Sequence, residues 1–372
     1  MSKLFKYAFS DLYDISSGIS STKDQAGHGT PFASFRTVFN NIFLPDKLPD
    51  LMEVSEKEQE IYSIKKGDIL ITRTSETVDE LAMSCVALKD YPQATYSGFV
   101  KRLRPKTEGI VYDRFIAFYL RSSYFRKVIE CNTIMTLRAS FNEDMFSFLN
   151  LYLPDYETQK KVGDLLYHIE RRREYNARVN DNLAEMAYTT YMHLFFGRKA
   201  NGKIGDILIE NPKSSIQVGS AKETTGDYPF FTSGDAILEW SEPLIAGRNL
   251  YLNTGGNAGL KFYVGEAAYS TDTWCITAQE DLSDYLYLLL ESIKSEISQK
   301  FFQGTGLKHL QKPMLKDRAI YIPSASEISS FNESVMPWFT MISDNIRESR
   351  QLTALRDWLL PMLMNGQASI SD

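Results

Sequence analysis

PDYETQKKVGDLLYHIERRREYNARVNDNLAEMAYTTYMHLFFG occupies residues 154–197, and PSASEISSFNESVMPWFTMISDNIRESRQLTALRDWLLPMLMNG occupies residues 323–366. The two stretches align without a gap at an offset of 169 residues, with Pro154 on Pro323, Asn176 on Asn345, Leu183 on Leu352, Leu194 on Leu363 and Gly197 on Gly366. In the first, Val162, Leu166, Ile169, Arg173, Asn176, Asn180, Leu183, Ala187, Thr190 and Leu194 recur at alternating steps of four and three. Phe331, Val335, Trp338, Ile342, Asn345, Ser349, Leu352, Arg356, Leu359 and Leu363 take the matching places in the second. Such spacing is a heptad seam, here apolar at both ends and polar in the middle. Proline before each stretch and glycine after it are start and stop signals. Each stretch therefore reads as one helix of roughly 40 residues, about 60 Å long at 1.5 Å per residue.

A helix of that length with a single apolar seam needs a partner, and its own repeat is the obvious one. Antiparallel pairing with aligned midpoints brings Asn176 and Asn345 together at the centre, where buried amides fix register at some cost in stability. The plainer alternative is that each helix packs only on its own domain. Pro337 and Pro361 depart from ideality, and Pro337 is expected to kink or break the second helix near Glu333.

The repeat extends upstream at the same offset: Leu151-Tyr152-Leu153 falls on Ile320-Tyr321-Ile322, and Phe118-Tyr119-Leu120 on Tyr287-Leu288-Leu289. The chain of 372 residues is thus a duplicated unit, each copy a mixed α+β region followed by a long helix. Ile69-Leu70-Ile71-Thr72 and Leu260-Lys261-Phe262-Tyr263-Val264 read as strands, residues 253–259 as a glycine-rich turn, and residues 115–129 and 282–297 as helices. Asp206-Ile207-Leu208-Ile209 also looks strand-like. The expected boundaries are 1–153, 154–197, 198–322 and 323–372.

Composition excludes several classes. Cys85, Cys131 and Cys275 are far apart, with no C-x-x-C, which argues against a disulfide scaffold or zinc ribbon and suits a reducing cytoplasm. No run of eighteen apolar residues suggests a membrane span, and the first residues do not read as a secretory signal. The four histidines (His28, His168, His193, His309) are scattered, without metal spacing. Residues 197–203, GRKANGK, match a phosphate-loop pattern, but Ile204 replaces the required Ser or Thr and the context is reversed. No nucleophile elbow is present, so no catalytic residue is expected.

The positive signal is electrostatic. Against a chain net charge of −6, residues 97–138 carry nine basic and three acidic side chains. A local basic face of this kind suits phosphates, although Arg114, Arg121, Arg126 and Lys127 equally fit the wet face of a helix. Lys101, Arg102, Arg104 and Arg138, with Arg36 and Arg73, are the DNA-binding candidates of the first copy. Those of the second are polar: Tyr228, Thr232, Ser233, Asn253, Asn257, Lys261 and Lys308. An Asn amide can pair with adenine and an Arg with guanine.

Residues 154–162 (PDYETQKKV) and 355–366 (LRDWLLPMLMNG) resemble the spacer segments of type I restriction–modification specificity subunits. Gly67-Asp68-Ile69-Leu70 and residues 228–234 (YPFFTSG) are similar to parts of their target-recognition domains. The resemblance spans essentially the whole chain. It implies two target-recognition domains, 1–153 and 198–322, held apart by an antiparallel coiled-coil spacer. It further implies a non-catalytic subunit that reads a bipartite site in double-stranded DNA and docks two methyltransferase subunits and restriction subunits. AdoMet, ATP and Mg would then sit on those partners, with no cofactor or metal on this chain. A stand-alone DNA-binding regulator, or a divergent enzyme, are the other readings.

Overall fold

The computed structural model describes residues 3–133, 139–304, 306, 308–364, 366–368 and 370. The chain forms two compact units, Met1–Arg172 with Gln351–Asp372, and Arg173–Arg350. The division falls within both long helices, Tyr156–Leu194 and Ala325–Met364, so each unit holds one end of each.

The duplication read from the helices extends to the sheets. In the first unit, Tyr13–Ser17, Val100–Pro105, Ile69–Thr72 and Ser84–Val86 lie side by side in that order, all antiparallel. In the second, Leu208–Glu210, Thr273–Ala278, Arg248–Asn253 and Leu260–Val264 repeat the arrangement. A smaller sheet accompanies each. Its central strand, Ala26–Ala33 or Tyr228–Phe231, has one antiparallel neighbour and one parallel neighbour. A two-stranded ladder also recurs, Phe5–Ala8 on Asn150–Leu153 and Gly202–Lys203 on Ala319–Ile320.

Burial on both faces explains why residues 69–71 and 250–252 are apolar without alternation. Ile69 and Ile71 enter one core with Leu103, Phe115 and Phe125, whereas Leu70 enters a second with Cys85, Val100 and Tyr96. In the second unit Leu250 and Leu252 join Trp274 and Leu286, while Tyr251 faces Phe231, Tyr263 and Cys275. A strand covered on both faces has no polar side to show.

The long helices begin on side-chain caps. Asp155 accepts from the Thr158 amide at 2.9 Å, and Ser324 and Glu327 form a reciprocal cap, the Ser324 amide donating to Glu327 at 2.9 Å. Gly197 and Gly366, with φ of +78° and +65°, follow their ends. The helices run antiparallel. In the second unit Phe195 meets Phe331 with ring centroids 5.3 Å apart, and Ala187 and Tyr191 share a core with Val335 and Phe339. In the first unit Val162 and Leu166 share a core with Leu363, and Arg356 pairs with Glu170 at 3.1 Å. Each helix therefore packs both on its repeat and on the core of its unit.

The central amides are as near as the seam predicted, but offset. Buried Asn176 donates to Glu348 at 2.7 Å and to the Asn345 backbone carbonyl at 3.4 Å, and the Asn345 side-chain amide donates to Asn180 at 2.8 Å. Other local expectations need correction. The second helix is unbroken through Pro337 and Pro361; burial of Phe331, Val335 and Phe339 around Pro337 outweighs the lost backbone bond. Residues 115–129 are split into Asp113–Tyr119 and Ser123–Asn132 because Ser122 caps the second piece. Residues 282–297 form Ser283–Ser292 and Lys294–Glu296, followed by a wide turn at Ile297–Phe301. Asp206 and Ile207 belong to a short helix, Ile204–Ile207, ahead of the strand Leu208–Glu210.

Candidate nucleic-acid interface

In the first unit most of the basic run turns inward. Arg104 grips fully buried Asp68 with two bonds of 2.8 and 2.6 Å and adds one to the Ser63 carbonyl at 2.9 Å. The Asp68 bond, more than any other contact, raises the Arg104 pKa. Buried Arg102 donates to the carbonyls of Ser63 at 2.6 Å and Ile61 at 3.3 Å and lies over the Tyr96 ring. Lys101 is also buried, on Ser17 at 2.8 Å with Glu143 at 3.6 Å. Arg121 is no wet-face residue either. Its guanidinium bonds the carbonyls of Val38, Phe39, Asn41 and Ser84, and burial pulls its pKa down to about 10. Arg114 stacks on Tyr167 and bonds Asp164 at 2.7 Å, and Arg126 reaches the Asp79 carbonyl.

Arg36, at the start of the helix Phe35–Asn40, and Arg73, after the strand Ile69–Thr72, are exposed. Arg138 lies outside the described residues. Arg73 sits on a defined frame. Its amide donates to the Phe99 carbonyl at 2.8 Å, its carbonyl accepts from the Phe141 amide at 2.8 Å, and Thr74 and Ser75 pair with Ser140 and Ala139.

In the second unit the structure gathers nearly all the sequence candidates at one end of the sheet. Residues 232–236 and 253–259 meet there with Lys308 and His309. Lys261 donates to the carbonyls of Thr232, at 3.0 Å, and Gly234. Burial pulls its pKa down. Ser233 accepts from the Thr254 amide at 3.0 Å, and Thr232 closes its own loop on the Ala236 carbonyl at 2.7 Å. Buried Asn253 reaches the Asn257 carbonyl at 3.1 Å, and the Gly256 amide donates to the Lys308 carbonyl at 2.9 Å. Gly259 leaves room for this contact, since a Cβ would fall 2.3 Å from the side-chain nitrogen of Asn253 and push it aside. Asn257 and Lys308 are left exposed on the surface so formed. Tyr228 stays outside the group, at the far end of the strand that leads to Thr232.

The two ends share one hydrogen-bond frame. The Thr254 amide donates to the Asp272 carbonyl at 3.3 Å, and its carbonyl accepts from Leu310 at 3.0 Å, as Arg73 does with Phe99 and Phe141. Gly255 and His309 then form the antiparallel bridge that Thr74 and Ser140 form in the first unit. Arg73 corresponds to Thr254 and Phe99 to Asp272. Sequence reading singled out neither Phe99, Thr254 nor Asp272; only alignment through these backbone bonds finds them.

Among the described residues no three His, Cys, Asp or Glu side chains are placed to hold a metal, and no helix is long and apolar enough to cross a membrane. What the geometry offers is a pair of matching surfaces, one on each unit.

The family of the type I restriction modification DNA specificity domain matches residues 6–185 and 199–332, one copy per repeat, and the chain belongs to that family. The chain is 22% identical over 382 aligned residues to the type I restriction enzyme MjaIX specificity subunit of Methanocaldococcus jannaschii, covering 87% of this chain and 82% of that one. It is 26% identical over 189 residues to the HindI specificity subunit of Haemophilus influenzae, a match spanning 50% of this chain and 39% of the relative. The crystal structure of a type I restriction–modification S subunit from M. genitalium shares the fold, with a TM-score of 0.67 at 14% identity, over 97% of this chain and 96% of that one.

Proposed function

We propose that this chain reads a bipartite, asymmetric site in double-stranded DNA, one half with each sheet end, as the non-catalytic specificity subunit of a type I restriction–modification complex. The observation that carries the reading is the repeated frame: one backbone scaffold, twice, presenting Arg73 and Phe99 in one copy and Thr254 and Asp272 in the other. Matching scaffolds that carry unlike residues suit two readers of unlike sequence.

The antiparallel long helices act as the spacer. At 39 and 40 residues they span about 58–60 Å at 1.5 Å per residue, so the gap between half-sites becomes a property of helix length. Binding one half raises the effective concentration of the other, and two modest contacts multiply. Because Arg102, Arg104 and Arg121 hold the fold, phosphate contact falls to Arg36, Arg73, Lys308 and the partners. Two methyltransferase subunits and restriction subunits dock on the chain and bring AdoMet, ATP and Mg, and the complex works in the cytoplasm on host DNA.

The test is binding of the chain, in the complex it forms in its host, to a duplex bearing the mapped methylation site. Binding that collapses when either half-site is scrambled supports the reading. Equal affinity for scrambled DNA, or methyl transfer by the isolated chain, defeats it.

A further inference from the structure

We infer that Phe99 is a wedge: in the bound state its ring enters a base step of the half-site read by the first unit and partly unstacks it. The inference rests on the proposed DNA-reading role and adds to it a residue and a mode of contact.

Phe99 is 64% exposed. Its backbone, by contrast, is fixed from every side. The Phe99 amide donates to the Ser97 hydroxyl at 3.2 Å, and Val100 closes the turn on the Ser97 carbonyl at 2.9 Å. Gly98 donates to the Ile19 carbonyl at 2.6 Å, in a place where a Cβ would lie 2.9 Å from that oxygen. The Phe99 carbonyl in turn holds Arg73. Single exposed apolar residues are ordinary on a protein surface; what sets Phe99 apart is that its ring stands on an ordered turn, on the loop-bearing end of the sheet and next to Arg73.

Folding does not explain the ring. The second unit builds the same turn and the same bond to the neighbouring strand with an exposed Asp272. The turn therefore forms without an aromatic at this position, which leaves the ring free for a contact outside the chain. Beside it stands exposed Arg73, a guanidinium able to meet a phosphate or a guanine edge. An apolar wedge flanked by a cation is the combination that opens a base step and anchors the strand alongside. Because the turn is already ordered, insertion loses little backbone entropy.

The experiment uses the full chain in its native complex and duplexes of the mapped site with 2-aminopurine substituted, one position at a time, through both half-sites. Apart from the methylated bases themselves, which the methyltransferase subunits flip out of the stack, the wild-type complex should raise 2-aminopurine fluorescence at one step of one half-site only. Phe99→Ala should abolish that rise and weaken specific binding roughly tenfold or more, leaving nonspecific binding within about twofold. Phe99→Leu, still an apolar wedge, should retain most of both. Three results overturn the inference: unchanged binding and fluorescence in Phe99→Ala, weakened binding when no position brightens in the wild type, or a variant that loses its protein partners and keeps its DNA affinity. Failure of the wild type to prefer the mapped site would instead defeat the DNA-reading role itself.

Discussion

Arg104→Ala separates a structural arginine from a DNA-reading one. The substitution removes both bonds to Asp68, at 2.8 and 2.6 Å, and one to the Ser63 carbonyl at 2.9 Å. Asp68 is fully buried and would keep the Lys65 amide at 2.7 Å. Removing one partner of a buried pair costs about 3–5 kcal/mol, because the remaining charge is stranded. The Arg104 side chain is 28% exposed, and water can partly enter the space it leaves, so the lower end, about 3 kcal/mol, is expected. Replacing both residues by apolar ones, Asp68→Leu with Arg104→Met, should recover most of that loss, since the stranded charge goes too. Urea denaturation followed by far-ultraviolet circular dichroism measures the difference. Hydrogen exchange over Ile69–Thr72 and Val100–Pro105 locates it. An Arg104→Ala protein within about 0.5 kcal/mol of wild type that binds cognate DNA tenfold less well would refute the structural assignment.

Other outcomes follow from single contacts. Glu327 is held at about 2 by hydrogen bonds from the Ser324 amide and hydroxyl, then from Tyr321 and Arg198. Its folded pKa lies below the ordinary 4.5, so its stabilisation is complete above that value and is lost as pH falls towards 2; Glu327→Gln should flatten this part of the acid limb in a series of thermal midpoints. Gly259→Ala displaces the Asn253 side chain from the Asn257 carbonyl and should weaken specific binding several-fold, with little change in far-ultraviolet dichroism. Removing one heptad from each long helix, in matching positions, shortens the spacer by about 10 Å, or three base pairs at 3.4 Å each. The methylated half-sites should then move closer by about that much, and an unchanged gap would rule out the ruler.

The long helices were legible because a heptad seam of 33 residues has few other readings, and because proline, glycine and capping side chains mark the ends in the sequence itself. The strand at Ile69–Thr72 was legible for a related reason, since both of its faces are covered. Helix 115–129 was not, because Ser122 caps a new helix only once its hydroxyl finds the Phe125 amide. The basic run misled more seriously. Charge along a sequence does not reveal that Asp68, 36 residues earlier, sits under Arg104, or that four carbonyls converge on Arg121. In the second unit residue type was a better guide, because small polar residues around glycines tend to form loops whatever their partners. Phe99 and Asp272 escaped notice because their correspondence lies in backbone hydrogen bonds, and the residues themselves have nothing in common.

The central claim is that one scaffold, built twice, reads two separate stretches of a single duplex. Single-molecule sequencing of methylated positions in host DNA, with and without this chain, tests it most directly. The expected result is a motif of two specified stretches separated by an unspecified gap of fixed length, present only with the chain. A single uninterrupted motif, or methylation indifferent to the chain, would contradict it.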